Sequence, residues 1–154
     1  MPQISEVDEF TRDWDWFAVD PSGAIGHFTS AGMRKLPISV KADNEAALRL
    51  IEYFASAPKK SEYVVSDEAD LDSKNVKDRK WYLRSFVAMA TVGLFSYNTY
   101  VDRRSTEYFL VARPNSPLHV DEVPSEIGEL LRRTKSVRLF ADSLRFRENE
   151  THDW

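Results

Sequence analysis

Residues 13–30 constrain the fold of this chain more than any other stretch of the sequence. Side chains from Asp13 to Val19 alternate with the period of two typical of a β-strand, and the run is rich in strand-forming residues. Asp-Pro-Ser-Gly follows at 20–23, with its Asp, Pro and Gly at positions that a tight turn favours. We therefore predict a β-hairpin whose second strand covers 24–30.

A left-handed Gly23 would fix the register of this hairpin, because it makes Asp20 pair with Ala24. The other predicted cross-strand pairs are Trp16 with Phe28, Phe17 with His27 and Asp15 with Thr29. One face is then the core face and carries Trp14, Trp16, Ala18, Gly26 and Phe28. The opposite face is apolar near the turn and polar at its far end, where it carries Asp13, Asp15, His27 and Thr29.

Three helices are predicted after the hairpin, each with an apolar stripe at helical spacing. The first begins after the N-cap Asp43 and ends because Pro58 follows. The predicted bounds and stripes are 44–57 with Ala47, Leu48, Ile51, Phe54 and Ala55; 77–92 with Leu83, Phe86, Val87 and Ala90; and 124–134 with Ile127, Leu130 and Leu131.

Strand-like runs continue in the second half of the chain. We predict a hairpin from 94–101 and 107–113, and either a bulged strand or a small hairpin at 137–147. Residues 59–75 are polar and predict a long surface loop, with a short strand at 63–65 as its one structured part. This order predicts an α+β fold with a mainly antiparallel sheet packed by about three helices.

Length and composition bound the function classes. A chain of 154 residues predicts a single α+β domain over 1–154, and 42% hydrophobic residues supply one packed core. The absence of cysteine excludes a disulfide framework, a thiolate metal site and a cysteine nucleophile. No apolar run approaches the roughly 18 residues of a membrane span, and Met1–Thr11 is acidic, unlike a signal peptide. We therefore expect a soluble, cytoplasmic protein.

Acidic residues dominate the first half of the chain. Residues 1–72 carry 7 Lys/Arg against 14 Asp/Glu, whereas residues 73–147 carry 14 against 8. Attraction between the two halves of one domain would account for part of this split. The acids of the predicted loop have few local partners and form a candidate partner-binding site for a basic protein; they are Glu62, Asp67, Glu68, Asp70 and Asp72.

Two aspartates and a histidine share the polar end of the hairpin. The predicted register places Asp13, Asp15 and His27 on one face, with Asp15 diagonal to His27. A carboxylate beside an imidazole could orient a general base or form part of a ligand site. The alternative is a solvated face on which His27 makes only a cross-strand contact. A similar choice holds for Trp14 and Trp16, which form either core or a stacking platform.

The sequence contains no recognised motif for catalysis, metal binding or cofactor binding. We therefore predict no catalytic residues, no metal site and no cofactor. Basic residues of the second half could contact nucleic acid, although a pI near 5.4 disfavours this. They are Arg103, Arg104, Arg132, Arg133, Lys135, Arg138, Arg145 and Arg147.

The sequence of the hairpin also resembles a segment of other proteins. Its sequence runs Trp14-Asp15-Trp16-Phe17-Ala18-Val19-Asp20, then Gly23, then Ile25-Gly26-His27-Phe28-Thr29-Ser30-Ala31-Gly32. It resembles the opening segment of a group of small uncharacterised bacterial proteins, some of which look like immunity-type proteins of contact-dependent or polymorphic toxin systems. The resemblance covers about twenty residues. It implies a stand-alone bacterial cytoplasmic domain and assigns no catalytic residue.

These observations favour a non-catalytic protein that binds another macromolecule. Its most concrete form is an immunity-type inhibitor that uses an acidic surface to occlude a partner protein. One alternative is a small enzyme or ligand-binding protein with a pocket near Asp15 and His27. The second alternative is nucleic-acid binding through the basic C-terminal half.

Overall fold

The computed structural model describes residues 2–32, 34–69, 78–99, 107–147 and 150–151. Its strands are β1 (Asp15–Val19), β2 (Ile25–Thr29), β3 (Tyr63–Val65), β4 (Phe95–Thr99), β5 (Glu107–Pro114) and β6 (Arg145–Arg147). Its α-helices are α1 (Glu6–Thr11), α2 (Ile38–Lys41), α3 (Asn44–Ala55), α4 (Arg79–Val92) and α5 (Ser125–Leu131), and 3-10 helices cover Val120–Glu122 and Phe140–Asp142. The predicted α+β fold class is confirmed.

The described strands form a mixed sheet rather than a mainly antiparallel one. β2 and β4 run parallel, whereas the other paired strands run antiparallel. The parallel pair arises because a long segment with helices connects β2 to β4 and returns the chain to the same end of the sheet. Along the sheet the order is β1-β2-β4-β5-β3, and β6 also pairs with β5.

The sheet divides at β5. This strand is 8 residues long, and one of its edges is taken by β4. On the other edge, β6 pairs with the N-terminal half of β5 and β3 pairs with its C-terminal half. The two short strands therefore diverge from the middle of β5.

The predicted register of the first hairpin is confirmed at each pair from Asp15 with Thr29 to Ala18 with Gly26. Gly23 has a φ of 87°, which is the left-handed conformation that the turn requires. At Gly26 a Cβ atom would lie 2.7 Å from the Phe140 ring, so only glycine admits that close packing.

Side chains are buried on both faces of this hairpin. Trp14 and Trp16 are 3% and 1% exposed, so they belong to the core and form no open stacking platform. The other face is not the solvated surface that its acids suggested, because His27 is 2% exposed. Helix α3 packs on β1, and α4 packs on β4 and β5, so helices cover this face.

The sheet curls around an aromatic core. The rings of Trp16 and Phe28 stack with centroids 4.2 Å apart, and Phe28 also contacts Phe146 at 4.9 Å. Phe146 lies on β6, and two other strands, β4 and β5, separate it from β2. Only a strongly curved sheet brings these rings together, since adjacent strands lie about 4.8 Å apart.

Three predicted helices are present with altered bounds or buried faces. In α3, Asp43 is the N-cap and accepts a hydrogen bond from Ala46 N, as predicted, but Leu48 is 46% exposed and Leu50 is buried instead. Ala55 is also exposed, and Val87 of α4 is only half-buried. Helix α4 begins at Arg79 because the Asp78 carboxylate caps it and accepts from Trp81 N. None of the helices in the described ranges is long and apolar enough to cross a membrane.

The prediction for 137–147 is wrong in its first part. Only Arg145–Arg147 forms a strand, and Phe140–Asp142 is a 3-10 helix. This segment is held by two buried polar contacts: Phe140 N donates to Asp20 Oδ2 at 2.9 Å, and the Tyr97 hydroxyl donates to Ser143 O at 2.6 Å. Burial raises the pKa of Tyr97 far above its usual value, so the phenol stays protonated.

Helices α1 and α2 were not predicted. Helix α1 is fixed by Glu9, which is 1% exposed, accepts from Leu36 N and pairs with Lys41 Nζ at 3.2 Å. Helix α2 begins directly after Pro37, and it packs against α3. A buried glutamate in a six-residue amphiphilic stretch leaves no periodic signal long enough to predict a helix.

Candidate functional site

A hydrogen-bonded chain of three side chains crosses the sheet at the polar end of the first hairpin. His27 Nε2 lies 3.0 Å from Asp15 Oδ1, and His27 Nδ1 lies 2.7 Å from Ser96 Oγ. Ser96 comes from β4, and the parallel register places it directly beside His27. Both ring nitrogens are therefore engaged, which fixes the orientation of the imidazole in either protonation state.

Thr29 and Asp13 complete the polar end of the hairpin. The Thr29 hydroxyl is 3.0 Å from Asp15 Oδ1 and 3.1 Å from Asp13 Oδ1, and Asp13 Oδ1 also accepts from Ala31 N. The two carboxylates share the single hydroxyl proton of Thr29, and His27 contacts Asp15, so the structure brings Asp13, Asp15 and His27 together. Of the two aspartates, Asp15 is the one that contacts the imidazole.

The pKa of Asp15 lies below its ordinary value. Burial acts to raise this pKa. The positive charge of His27 in its protonated form and the hydrogen bonds from His27 and Thr29 outweigh that effect. Asp15 is therefore an ionised carboxylate at neutral pH.

The chain Asp15–His27–Ser96 has the composition of a hydrolase triad but the opposite burial. In a triad the serine faces the substrate and the carboxylate is buried behind the histidine. Here Ser96 is fully buried, whereas the Asp15 side chain is 44% exposed. This geometry excludes Ser96 as a nucleophile, and it leaves the carboxylate as the group that a ligand can reach.

A cleft of about 220 Å³ opens beside this chain, between the C-terminal end of α3 and the last turns of α4. Asp15 and His27 line it together with Lys59 and two hydroxyl residues, Ser85 and Thr91. The remaining walls are apolar and consist of Phe54, Ala55, Ala57, Ala88, Met89 and Val92.

No protein-family model, curated protein or solved structure matches the chain. Function must therefore be inferred from the side chains themselves. Among the described residues, no group of three or more His, Asp or Glu side chains is placed to hold a metal ion.

A second candidate surface lies where β3 and β6 diverge from β5, and we call it the notch. Its cavity measures about 240 Å³ and is lined by Val64, Val65, Ser66, Asp67, Glu68, Leu110, Arg113 and Leu144. Val64 is 51% exposed and Leu144 is 63% exposed, so two large apolar side chains flank this cavity in contact with solvent.

The predicted acidic site lies partly at the notch. Asp67 and Glu68 line it, and Glu62 precedes β3. Glu68 pairs with Arg145 at 3.3 Å, whereas Glu62 and Asp67 are exposed and form no ion pair with the described residues. Asp70 and Asp72, the other two predicted members, lie outside the described residues.

Much of the basic charge of the second half is paired with carboxylates. Arg132 pairs with Asp121, Arg133 with Asp43, Arg138 with Glu150, and Arg145 with both Glu68 and Glu107. Further pairs join the two halves of the chain, namely Arg49 with Glu126 and Lys60 with Glu122. Arg103 and Arg104 lie outside the described residues.

Sequence reasoning missed Ser96, Lys59 and the apolar residues of the notch. Ser96 joins the site only through the parallel β2–β4 pair, which leaves no local signal. Leu144 joins the notch only because β6 pairs with β5. The one available signal was Val64, since it belongs to the short strand that the sequence predicted within an otherwise polar loop.

Proposed function

We propose that this protein binds another protein without turnover, through the notch and the adjoining edge of β3. One observation carries the proposal: the division of the sheet at β5 places three features close together. Within the described part of the chain, these are a strand edge that no other strand covers, exposed apolar side chains, and carboxylates that form no ion pair. Each feature alone is common on protein surfaces, but their combination is typical of a recognition surface.

The edge of β3 supplies backbone hydrogen-bonding groups. Asn115 N donates to Glu62 O and Ser66 N donates to Val111 O, so alternate residues of this segment bond to β5. The intervening residues, Tyr63 and Val65, direct their N–H and C=O groups away from β5. An extended segment of a partner can pair with these groups as an added strand.

The notch supplies an apolar anchor point. Val64, Leu110 and Leu144 line the cavity, which can take one aliphatic side chain of a partner. Anchoring one buried side chain is how compact interfaces concentrate their binding energy. The added strand and the anchor therefore select a partner segment that is extended and carries an aliphatic residue.

The unpaired acids specify the charge of that segment. Glu62 and Asp67 flank β3 in sequence and are exposed. Carboxylates at the rim of an interface favour a basic partner and raise its association rate. We therefore propose a basic, extended segment as the occupant. An immunity-type inhibitor acting in the cytoplasm, as the hairpin resemblance suggests, is the most concrete form of this role.

The test compares three forms of the full-length protein as baits in the native host's lysate. The wild type is compared with Val64→Arg/Glu62→Lys, which blocks the anchor and reverses one charge. The control is Leu48→Arg, because Leu48 is an exposed apolar residue on α3 outside the notch. We expect a protein that wild type and control both retain, that the double variant loses, and that rising salt releases.

Hydrogen exchange with the purified partner then locates the contact. Protection of residues 62–66 and 144 on binding supports the proposal. Capture that is equal for all three baits, or protection confined to other elements, overturns it. Recovery of nucleic acid in place of a protein would favour the second alternative and also overturn it. If a neighbouring gene encodes a toxin, cells that express this toxin should grow when they also express the wild-type protein, but not when they express the double variant.

A further inference from the structure

The cleft between α3 and α4 lies on elements that the proposed partner surface does not use. We propose that it is a second binding site, for a small molecule with a primary ammonium group at one end, a short apolar body and a carboxylate at the other end. Three features of the cleft support this inference: its apolar walls, the Asp15 carboxylate and the Lys59 side chain.

The walls set the size and polarity of the ligand. Most of the lining is apolar, and three alanines, Ala55, Ala57 and Ala88, keep the space between the helices open. A volume of about 220 Å³ lies below the roughly 300–1,000 Å³ of sites for drug-sized ligands. The cleft therefore matches a short aliphatic body better than a nucleotide.

Asp15 supplies a carboxylate that is held in a fixed orientation. Asp15 Oδ1 accepts hydrogen bonds from His27 and Thr29, which hold the carboxylate in one orientation. Asp15 Oδ2 accepts no hydrogen bond from the described residues, and the side chain remains 44% exposed. A carboxylate that is held in place and keeps one open oxygen binds a cation at low entropic cost.

Lys59 supplies a cationic side chain. Lys59 lines the same cleft and forms no ion pair with the described residues. Its backbone position is set by the next two residues, because Lys60 N and Ser61 N both donate to Thr91 O, at 2.8 and 2.9 Å. An ammonium group on Asp15 and a carboxylate on Lys59 would give a bound molecule opposite charges at its two ends.

Three probes of matched length test this assignment on the full-length protein by NMR titration. The probes are 5-aminopentanoate, pentylamine and pentanoate. We expect saturable shifts of the Asp15, His27 and α4 amides with both amines, tightest for 5-aminopentanoate, and none with pentanoate. Asp15→Asn should weaken the binding of both amines by roughly tenfold or more. Lys59→Ala should remove only the preference for 5-aminopentanoate.

Two further variants keep the test decisive. Ala88→Phe fills the cleft without changing any charge and should abolish binding. Because Ala88 lies on α4, this variant tests the cleft even if Asp15→Asn disturbs the hairpin. Glu52→Gln removes an exposed carboxylate of α3 outside the cleft and should bind like wild type. The proposal is overturned if no amine gives saturable shifts, if pentanoate binds as well as the amines, or if Ala88→Phe binds like wild type.

Discussion

Two carboxylates at opposite ends of β1, Asp15 and Asp20, occupy contrasting environments. Asp20 is 5% exposed, and both of its oxygens are used: Oδ1 accepts from Ser22 N, Ser22 Oγ and Ala24 N, and Oδ2 accepts from Phe140 N. The Asp15 side chain is 44% exposed, and only its Oδ1 accepts hydrogen bonds from the described residues. The same residue type is thus fully bonded at the turn end and half-bonded at the open end.

This difference distinguishes a carboxylate that stabilises the fold, Asp20, from a carboxylate that a ligand can reach, Asp15. At the turn end, Asp20 shapes the turn and ties the first hairpin to the 3-10 helix at 140–142, so it joins distant parts of the chain. At the open end, His27 and Thr29 hold Asp15 through Oδ1, and Oδ2 accepts no hydrogen bond from the described residues. A carboxylate that satisfies four donors stabilises the fold, whereas one with an open oxygen can bind a ligand.

Removing the Asp20 carboxylate should have the largest effect on stability. Asp20→Ala leaves the buried Phe140 N and the donors of the turn without an acceptor, and we expect a loss of about 3–5 kcal/mol in the free energy of unfolding. Urea denaturation followed by tryptophan fluorescence measures this loss. The control, Asp142→Ala, removes an exposed acid of the same 3-10 helix and should change stability by less than about 0.5 kcal/mol. Equal stabilities of the two variants would show that Asp20 is not the tie.

Replacing His27 should have an intermediate effect and show whether the open end is also structural. His27→Phe keeps a buried ring but leaves the Ser96 hydroxyl without its partner, so we expect a loss of about 2 kcal/mol. Ser96→Ala in the same background removes the unpaired hydroxyl. The double variant should therefore be about 1 kcal/mol more stable than additivity predicts. Strict additivity in urea denaturation would indicate that the His27–Ser96 contact carries no energy.

The first hairpin could be predicted from the sequence because each of its constraints is local. Alternation set the faces, and the Asp20-to-Gly23 turn set the register, so Asp15 and His27 were placed correctly relative to each other. The burial of His27 could not be predicted, because it depends on α3 and α4 covering that face. A solvated histidine and a buried one have the same local sequence.

The long-range parts of both candidate sites escaped prediction for the same reason. Ser96 meets His27 through a parallel pair formed across a long connection, and nothing in either strand encodes that partner. The notch exists because β3 and β6 share one edge of β5, which is a property of the assembled sheet. The acids Glu62 and Asp67 could be identified as unpaired candidates, but the apolar residues that give the notch its shape could not.

Asp15→Asn should have the smallest effect on stability at neutral pH, and its pH dependence sharpens the comparison with Asp20. The pKa of Asp15 is lowered in the folded state, whereas an unfolded aspartate titrates near 3.9. The stabilisation that ionised Asp15 gives the folded protein is therefore present above about pH 4, and it is lost as the pH falls through the pKa of Asp15 in the folded state. Asp43 and Glu122, whose pKa values are also lowered, contribute to the same acid loss in both proteins.

We expect Asp15→Asn to cost less than about 1 kcal/mol at pH 7, because the side chain is partly solvated, and to approach wild-type stability at low pH. Urea denaturation at pH 7, 4 and 3 measures both effects. A loss at pH 7 as large as that of Asp20→Ala would contradict the comparison. Asp15 would then be a structural carboxylate like Asp20, and its open oxygen would no longer support a ligand site in the cleft.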